Sequence, residues 1–221
     1  RADACRAAGP DGPLTSASGS PPLTERKTLV LTGASRGIGH ATVKRFGDAG
    51  WQILTCSRED VPADCRRDPN WSRHFTVDLA QPEARLAFIE DVHRALDGAP
   101  IHALVNNAGV SPKTPYRERL GILNGELAEW RAVFELNFFA ALDLGRGFAA
   151  ALGRGKGAIV NVTSIAGHTA HPFAGSAYST SKAALSALTR EMAVELAALG
   201  VRVNAVAPGE IETDKIGRAH V

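Results

Sequence analysis

A tyrosine and a lysine four residues apart, Tyr178 and Lys182, are the side chains of this sequence best suited to acid–base chemistry. On a helix this spacing places them on one face, about 6 Å apart along the axis. A phenol titrates at about pH 10 and is a poor acid–base group at neutral pH, but a neighbouring ammonium group favours the phenolate. The pair could therefore exchange a proton with a carbonyl or alcohol oxygen. Taken alone, the spacing is also explained by an ordinary pair of surface residues.

Two polar residues elsewhere in the chain could complete a site around this pair. Ser164 ends the apolar run "GAIVNVTS", and its hydroxyl could either hold a substrate oxygen or cap the next turn. Asn137 lies in the apolar helical stretch "FELNFFAA", where a buried amide needs hydrogen-bond partners. Open α/β folds bind ligands at the carboxyl edge of the sheet, which is where Ser164 is predicted to lie. The candidate catalytic residues are therefore Ser164, Tyr178, Lys182 and Asn137.

The stretch "LVLTGASRGIGHA" places three glycines between the first predicted strand and the first predicted helix. Gly33, Gly37 and Gly39 permit a tight turn and a close backbone approach to a pyrophosphate, which the N–H groups of a helix N-terminus attract. The spacing is GxxxGxG rather than the common GxGxxG, and a plain strand-to-helix turn is the alternative explanation. Its place at the start of a βαβ series favours a nucleotide site.

The end of the second predicted strand indicates which nucleotide is bound. An acidic residue there would hold the ribose 2′-hydroxyl of NAD, whereas a basic residue accommodates the 2′-phosphate of NADP. The strand ends in "TCSRED", with Ser57 where the acid is expected and Arg58 next, and Arg36 in the glycine loop can approach the same place. A guanidinium group suits a phosphate, so NADP is favoured. Glu59 and Asp60 lie close enough to keep NAD as the alternative.

Short apolar runs alternate with helical patterns from Lys27 onward. Six runs predict strands, and the stretches between them predict helices, including a long helical region from Glu126 to about Leu152. Nearly continuous apolar strands alternating with helices are typical of a parallel sheet covered on both faces. The sequence therefore predicts one doubly wound, Rossmann-type α/β domain.

Together these motifs resemble the short-chain dehydrogenase/reductase family. "TGASRGIG", "NNAG", Ser164, "YSTSK" and "PG" occur in the family's order and approximate spacing, from about Lys27 to Thr213. The resemblance implies hydride transfer between a nicotinamide coenzyme and a carbonyl or alcohol without a metal, as in 3-oxoacyl-carrier-protein reductase-like members. Ser164 and Tyr178 lie fourteen residues apart, one more than is usual in the family.

The resemblance also implies a role for each matching residue. Tyr178 would be the acid–base residue, and Lys182 would favour its phenolate and bind the nicotinamide ribose. Ser164 would orient the substrate oxygen, and Asn137 would hold a water of a proton relay. Asp78 would contact the adenine, and Pro208, Gly209 and Thr213 would lie at the nicotinamide end. The full set of implied coenzyme-binding residues is Gly33, Ser35, Arg36, Gly37, Ile38, Gly39, Ser57, Arg58, Asp78, Leu79, Asn106, Ala108, Gly109, Tyr178, Lys182, Pro208, Gly209, Ile211 and Thr213.

Composition argues against other classes of function. The chain has 221 residues, and its net charge of +2 comes from interspersed basic and acidic residues, so no nucleic-acid surface is indicated. No apolar run is long enough to predict a membrane span. The cysteines Cys5, Cys56 and Cys65 form no CxxC pair and fit a reducing, cytoplasmic compartment. His168 and His171 lack a third ligand, so no metal site is predicted.

Both ends of the sequence are predicted to lie outside the folded domain. Residues 1–26 are rich in Ala, Gly, Ser and Pro and are expected to form a disordered leader, and the domain is predicted over residues 27–215. Residues 216–221 match one reading frame of a common sequencing adapter, and we expect them to be a non-native tail. On this interpretation the last strand and the substrate lid of the family are missing, and the activity of this chain itself is left open.

Two other functions fit the same fold. One is a nucleotide-binding regulator without chemistry, against which the presence of all four candidate catalytic residues argues. The other is an epimerase or a dehydratase. For assembly, the small residues Ala183, Ala184 and Ala187 lie on a helix that pairs between subunits in the family, so a homodimer or homotetramer is expected of the full-length protein.

Overall fold

Six short apolar runs form strands that can be buried on both faces. The computed structural model describes residues 26–60, 70–116 and 118–211. Its strands are β1 (Thr28–Thr32), β2 (Gln52–Ser57), β3 (Trp71–Thr76), β4 (Ala103–Asn106), β5 (Ala158–Val162) and β6 (Arg202–Val206). They form one parallel sheet in the order β3-β2-β1-β4-β5-β6. Every residue of the central strands β1 and β4 is buried, as a doubly covered parallel sheet requires.

Helices cover both faces of this sheet. They are α1 (Gly37–Asp48), α2 (Pro82–Leu96), α3 (Leu127–Phe134), α4 (Ala140–Arg154) and α5 (Ser176–Leu196). On one face Phe88 of α2, Phe148 of α4 and Met192 of α5 belong to a single hydrophobic core. On the other face Val43 of α1 packs in a second core with Leu31 of β1. The predicted doubly wound Rossmann-type fold is confirmed.

The long helical region between β4 and β5 contains a π turn. It extends from Leu127 to Arg154, close to its predicted bounds, but Glu135–Phe139 between α3 and α4 form a wider turn. There the Ala140 N–H donates to the carbonyl oxygen of Glu135, five residues earlier instead of four. Such turns hold one extra residue and are frequent at functional sites. Asn137 lies within this turn and is 1% exposed.

A buried arginine connects α2 to this turn. Arg85 is only 3% exposed, and its guanidinium forms ion pairs with Glu135 at 3.0 Å and Asp143 at 2.8 Å. It also donates a 3.0 Å hydrogen bond to the carbonyl oxygen of Leu79, in the turn after β3. Because a buried cation is stable only when its donors are satisfied, these contacts fix the position of α2 relative to the helices around the π turn.

Parts of the sequence-based predictions concern residues outside the described ranges. These are Cys5, Cys65, Thr213, the predicted leader apart from Arg26, and the predicted tail. Within the described ranges, none of the helices combines the length and apolar character needed to cross a membrane. The same ranges contain no cluster of three or more His, Cys, Asp or Glu side chains that could hold a metal ion.

Candidate active site

The predicted site residues gather at the carboxyl edge of the sheet. This edge is where a parallel α/β sheet binds ligands, because the chain leaves each strand there for a loop or a helix N-terminus. The residues at or just after the six strand ends, from one edge of the sheet to the other, are Asp78 after β3, Ser57 at the end of β2, Gly33 after β1, Asn106 at the end of β4, Ser164 after β5 and Pro208 after β6.

The glycine loop after β1 is a tightly packed turn. Gly33 and Gly37 have positive φ angles of 72° and 57°, a conformation that side chains disfavour. A Cβ on Gly39 would lie 2.0 Å from the carbonyl oxygen of Gly33. The amide of Asn107 donates 3.0 Å hydrogen bonds to the carbonyl oxygens of Thr32 and Gly33. The hydroxyl of Thr32 accepts from the N–H groups of Asn107 and Ala108.

Thr32 and Asn107 hold the glycine loop in place, although the sequence analysis did not single out either residue. Asn107 lies inside the "NNAG" motif, so the motif indicated the region without showing which of the two asparagines contacts the glycine loop. The contact with the glycine loop is made by Asn107. Asn106 instead donates a 2.8 Å hydrogen bond to Asn161, its neighbour on the adjacent strand β5. Asn106 therefore braces β4 against β5, and Asn107 shapes the loop.

The start of α1 fits a pyrophosphate. Arg36 is the N-cap residue, and no side chain caps the N-terminus of the helix. Uncapped amides at a helix N-terminus and the positive end of its dipole attract anionic groups. Ser35 and Ile38 flank this start and are partly buried, while Arg36 is exposed. The residues present therefore fit a dinucleotide phosphate group, with the backbone as the principal donor.

We expect Gly39→Ala to weaken coenzyme binding by more than tenfold, because the new methyl group would collide with the Gly33 carbonyl and the Asn107 amide. The measurement is fluorescence titration with NADPH on protein whose fold is checked by circular dichroism. Gly50→Ala is the matched control: its φ of 75° costs roughly 1 kcal/mol of stability, but a Cβ there meets no atom within 4 Å. Equal NADPH affinity in Gly39→Ala and wild type would contradict the close-packed loop.

The residues predicted to bind the adenosine half of the coenzyme lie at the ends of β2 and β3. Ser57 is partly buried, and Arg58 is exposed. One carboxylate oxygen of Asp78 accepts a 3.0 Å hydrogen bond from the Ala80 N–H, so this side chain shapes the turn before α2. Leu79 is 3% exposed and packs in the core. Asp78 is thus placed at the predicted adenine end and has a structural contact there.

The lysine of the YxxxK pair is buried at the centre of the edge. Lys182 is 3% exposed, and its ammonium group donates a 2.6 Å hydrogen bond to the carbonyl oxygen of Val162, the last residue of β5. The Nζ atom lies 5.9 Å from the centre of the Tyr178 ring. A Cβ on Gly109 would lie 3.3 Å from this Nζ atom. Lys182 is therefore fixed between the end of β5, the "NNAG" turn and the tyrosine.

Tyr178 has the exposure that a proton-transfer residue needs. Its side chain is partly buried, and within the described ranges its hydroxyl group makes no hydrogen bond. The phenol is thus held by its helix, with its oxygen available to a ligand. Its position one turn before Lys182 on α5 confirms the predicted shared face.

Asn137 joins the π turn to the rest of the site. Its Oδ1 accepts a 2.8 Å hydrogen bond from the Val110 N–H, and its Nδ2 donates to the Val110 carbonyl oxygen and to Ser181 Oγ, both at 3.0 Å. Both amide protons are thus used within the protein. Any contact of this side chain with a relay water has to use Oδ1 as an acceptor.

Ser164 caps the short 3-10 turn Ile165–Gly167, as the sequence analysis allowed. Its Oγ accepts a 3.2 Å hydrogen bond from the Ala166 N–H, which leaves its own proton to donate. The turn is packed so closely on α5 that a Cβ on Gly167 would lie 2.9 Å from the backbone of Lys182. The Ile165 N–H donates to the carbonyl oxygen of Pro208. These contacts bring Ser164, the YxxxK helix and the loop after β6 together.

The remaining predicted residues lie at the β6 side. Gly209 is near Ile165, since a Cβ on it would lie 3.8 Å from Ile165 Cδ1. Ile211 is 42% exposed. His171 Nε2 lies 3.5 Å from a carboxylate oxygen of Glu210, so this histidine connects the segment before α5 to the segment after β6.

Comparison with known proteins agrees with this arrangement. A family model described as short chain dehydrogenase matches residues 27–219. Protein FixR of Bradyrhizobium diazoefficiens is 54% identical over 196 residues, which are 87% of this chain and 69% of that protein. The 3-oxoacyl-[acyl-carrier-protein] reductase FabG of Vibrio cholerae is 31% identical, over 86% of this chain and 75% of that protein.

A solved structure is also similar. It is an oxidoreductase of the short chain dehydrogenase/reductase family from Brucella ovis, in complex with a partially ordered NAD. The two chains are 55% identical, with a TM-score of 0.80, and the match covers 85% of each. The sheet and the edge described above are therefore those of a coenzyme-binding fold.

Proposed function

Because this chain belongs to the short-chain dehydrogenase/reductase family of oxidoreductases, we propose that it transfers a hydride between NADP(H) and a carbonyl or secondary-alcohol substrate. The observation that carries the proposal is the fixed position of Lys182. Its ammonium group is buried between the end of β5 and the Tyr178 ring, beside the turn that Ser164 caps. A buried ammonium next to a phenol that makes no hydrogen bond within the described ranges is suited to proton transfer.

In the direction of reduction, the residues act on the substrate oxygen. The nicotinamide supplies the hydride to the carbonyl carbon when it is bound. Tyr178 gives its proton to the carbonyl oxygen, and Lys182 stabilises the negative charge left on the phenol oxygen. Ser164 donates its remaining proton to the same substrate oxygen and orients it. In the reverse direction Tyr178 takes the proton from the alcohol.

The backbone around these residues would hold the coenzyme. The glycine loop and the uncapped start of α1 fit the pyrophosphate, and Lys182 and Gly109 lie where the nicotinamide ribose is expected. NADP is proposed over NAD because Ser57 stands where an acid would hold a ribose 2′-hydroxyl. Two exposed arginines also support NADP: Arg58, which follows Ser57 at the end of β2, and Arg36 in the glycine loop after β1. The NAD in the Brucella ovis structure makes NAD the alternative.

We further propose that the protein assembles into a homodimer or homotetramer and that it acts in the cytoplasm. Ala183 and Ala187 are exposed on α5, and Val194 two turns further on is 76% exposed. Small exposed residues on one helix face permit close packing against a second copy. Light scattering that finds only monomers of the full-length protein would reject this assembly.

The decisive experiment is turnover of a panel of ketones by the purified protein with NADPH or NADH. We expect oxidation of NADPH, with formation of the matching alcohol in equal amount. Coenzyme binding without any turnover would favour the regulator. A changed substrate without net coenzyme consumption would favour an epimerase or a dehydratase. Turnover that is faster with NADH at equal concentrations would replace NADP by NAD in the proposal.

A further inference from the structure

A lysine and an arginine face each other in the loop after β4. Lys113 and Arg119 form an isolated antiparallel bridge outside the six-stranded sheet, and both side chains are exposed. Residues directly opposite each other in such a bridge have Cβ atoms about 4.5–5.5 Å apart, and like charges in this position destabilise the pair. The bridge therefore brings two positive charges together at a cost in stability.

Neutral oxygens hold the two cations. The Lys113 ammonium group donates to the Phe173 carbonyl oxygen. The Arg119 guanidinium donates to the His171 carbonyl oxygen at 3.2 Å and to Ser176 Oγ at 3.5 Å. Among the described residues, neither cation takes part in an ion pair. Both groups have more N–H donors than these contacts use, so donors and uncompensated charge remain for a ligand.

The surroundings of the two cations add to the positive potential. Helix α5 begins at Ser176 with no side-chain cap and no acidic residue in its first turn, so Arg119 stands where a helix dipole favours an anion. Desolvation, and then the charge of Arg119, lower the pKa of Lys113. The carboxylate of Glu210 lies near the His171 ring instead, 3.5 Å from its Nε2. An anionic group bound at the two cations would reduce each of these costs.

The cation pair is connected to the reacting residues on two sides. Lys113 follows Gly109 by four residues, a span of at most about 14 Å. A Cβ on Gly109 would lie 3.3 Å from Lys182 Nζ. The two carbonyl oxygens that hold the cations belong to the segment between Ser164 and Tyr178. A substrate whose oxygen lies at Tyr178 can therefore extend toward the cations.

We propose that Lys113 and Arg119 bind an anionic group of the substrate, either a carboxylate or a phosphate ester. The substrate is then a keto acid or a keto phosphate, or the corresponding hydroxy compound in the reverse direction. A guanidinium group binds either oxyanion through paired N–H donors, and an ammonium group adds a point charge. This inference rests on the proposed hydride transfer and adds the charge of the substrate to it.

Pairs of ketones with and without an anionic group test this site. The pairs are acetoacetate and methyl acetoacetate, levulinate and methyl levulinate, and dihydroxyacetone phosphate and dihydroxyacetone. Calorimetry on protein saturated with oxidised coenzyme gives dissociation constants without turnover, at constant ionic strength because salt screens exposed charges. We expect the anionic member of at least one pair to bind tenfold tighter or more, as one hydrogen bond to a charged group allows. The pair with the largest preference distinguishes a carboxylate from a phosphate, and kcat/KM with NADPH should follow the same order.

Glutamine variants separate the charge of the two residues from their contacts with the neighbouring segment. Lys113→Gln and Arg119→Gln retain an N–H donor for the Phe173 and His171 carbonyl oxygens but have no charge. We expect each variant to lower the preference for the anionic ketone by about tenfold, and Lys113→Arg to retain most of it. Arg202→Gln, at an exposed position at the start of β6 on the opposite edge of the sheet, is the matched control and should leave the preference unchanged.

The outcomes separate this inference from the proposed function. Wild-type protein that binds no anionic ketone more tightly than its neutral partner would overturn the inference, as would a preference that persists in both glutamine variants. Equal weakening of the two members of a pair would also overturn it, because Lys113 and Arg119 would then only hold the loops together. The expected preference in binding without any turnover would support the anion site and reject hydride transfer. Turnover of neutral and anionic ketones without preference would support hydride transfer and overturn the anion site.

Discussion

Replacement of Tyr178 by phenylalanine is expected to lower kcat by a factor of about 10²–10⁴, because the variant has no proton to give to the substrate oxygen. The ring remains next to Lys182, whose ammonium group stays on the Val162 carbonyl oxygen. NADPH affinity should therefore change by no more than about fivefold, the effect of one neutral hydrogen bond. Steady-state kinetics and a separate NADPH titration measure the two effects.

The second tyrosine of the chain is the control for this variant. Tyr116 is 87% exposed, and Tyr116→Phe removes the same atom from a surface position. We expect its kcat to stay within about twofold of wild type, in line with a surface substitution. A Tyr178→Phe variant with the kcat of Tyr116→Phe would show that Tyr178 is not the acid–base residue.

Replacement of Arg85 by methionine is expected to lower the free energy of unfolding by roughly 3 kcal/mol. The guanidinium is buried, and its loss leaves the carboxylates of Glu135 and Asp143 without their cation and the Leu79 carbonyl oxygen without a donor. The partners are 34% and 26% exposed, so water can replace part of what is lost, and the value is set at the low end for a broken buried pair. Chemical denaturation followed by circular dichroism gives this value.

The same helix contains a matched surface pair. Arg94 contacts Asp91 at 2.5 Å, with side chains 73% and 43% exposed. Arg94→Met should cost less than about 0.5 kcal/mol, as exposed ion pairs usually do. If Arg85→Met and Arg94→Met lost equal stability, the buried network would contribute no more than a surface pair.

Local patterns were sufficient to predict the fold and the shared helix face of Tyr178 and Lys182. The alternation of apolar runs and helical patterns predicted the doubly wound sheet, since each strand and helix is defined by its own residues. The four-residue spacing of Tyr178 and Lys182 predicted their shared face for the same reason. The glycine positions predicted the tight loop because glycine adopts positive φ angles and permits a close backbone approach that other residues disfavour.

Long-range pairings could not be predicted in this way. Arg85 meets partners 50 and 58 residues away. Its spacing from Phe88 and Ile89 places it on the buried face of α2, but the sequence does not show which carboxylates would pair with it there. His74 reaches Thr55 only because β2 and β3 pair in one register, which includes an irregularity between Ile53 and Leu54. The register of two strands whose pairing contains such an irregularity depends on tertiary packing, and neither strand specifies it alone.

The π turn affects how α3 and α4, which lie on either side of it, pack against the rest of the protein. An α-helix rotates by about 100° per residue, so one additional residue shifts the phase of everything that follows it by that angle. α3, before the turn, packs on α5, whereas α4, after it, packs on α2 and the central strands. The wide turn absorbs such a residue, so α4 keeps its buried stripe on the sheet even though the chain carries one residue more than a regular helix of that length. Deleting one residue from Glu135–Phe139 would restore a regular helix with α4 still facing the sheet, but it would remove the turn that holds Asn137.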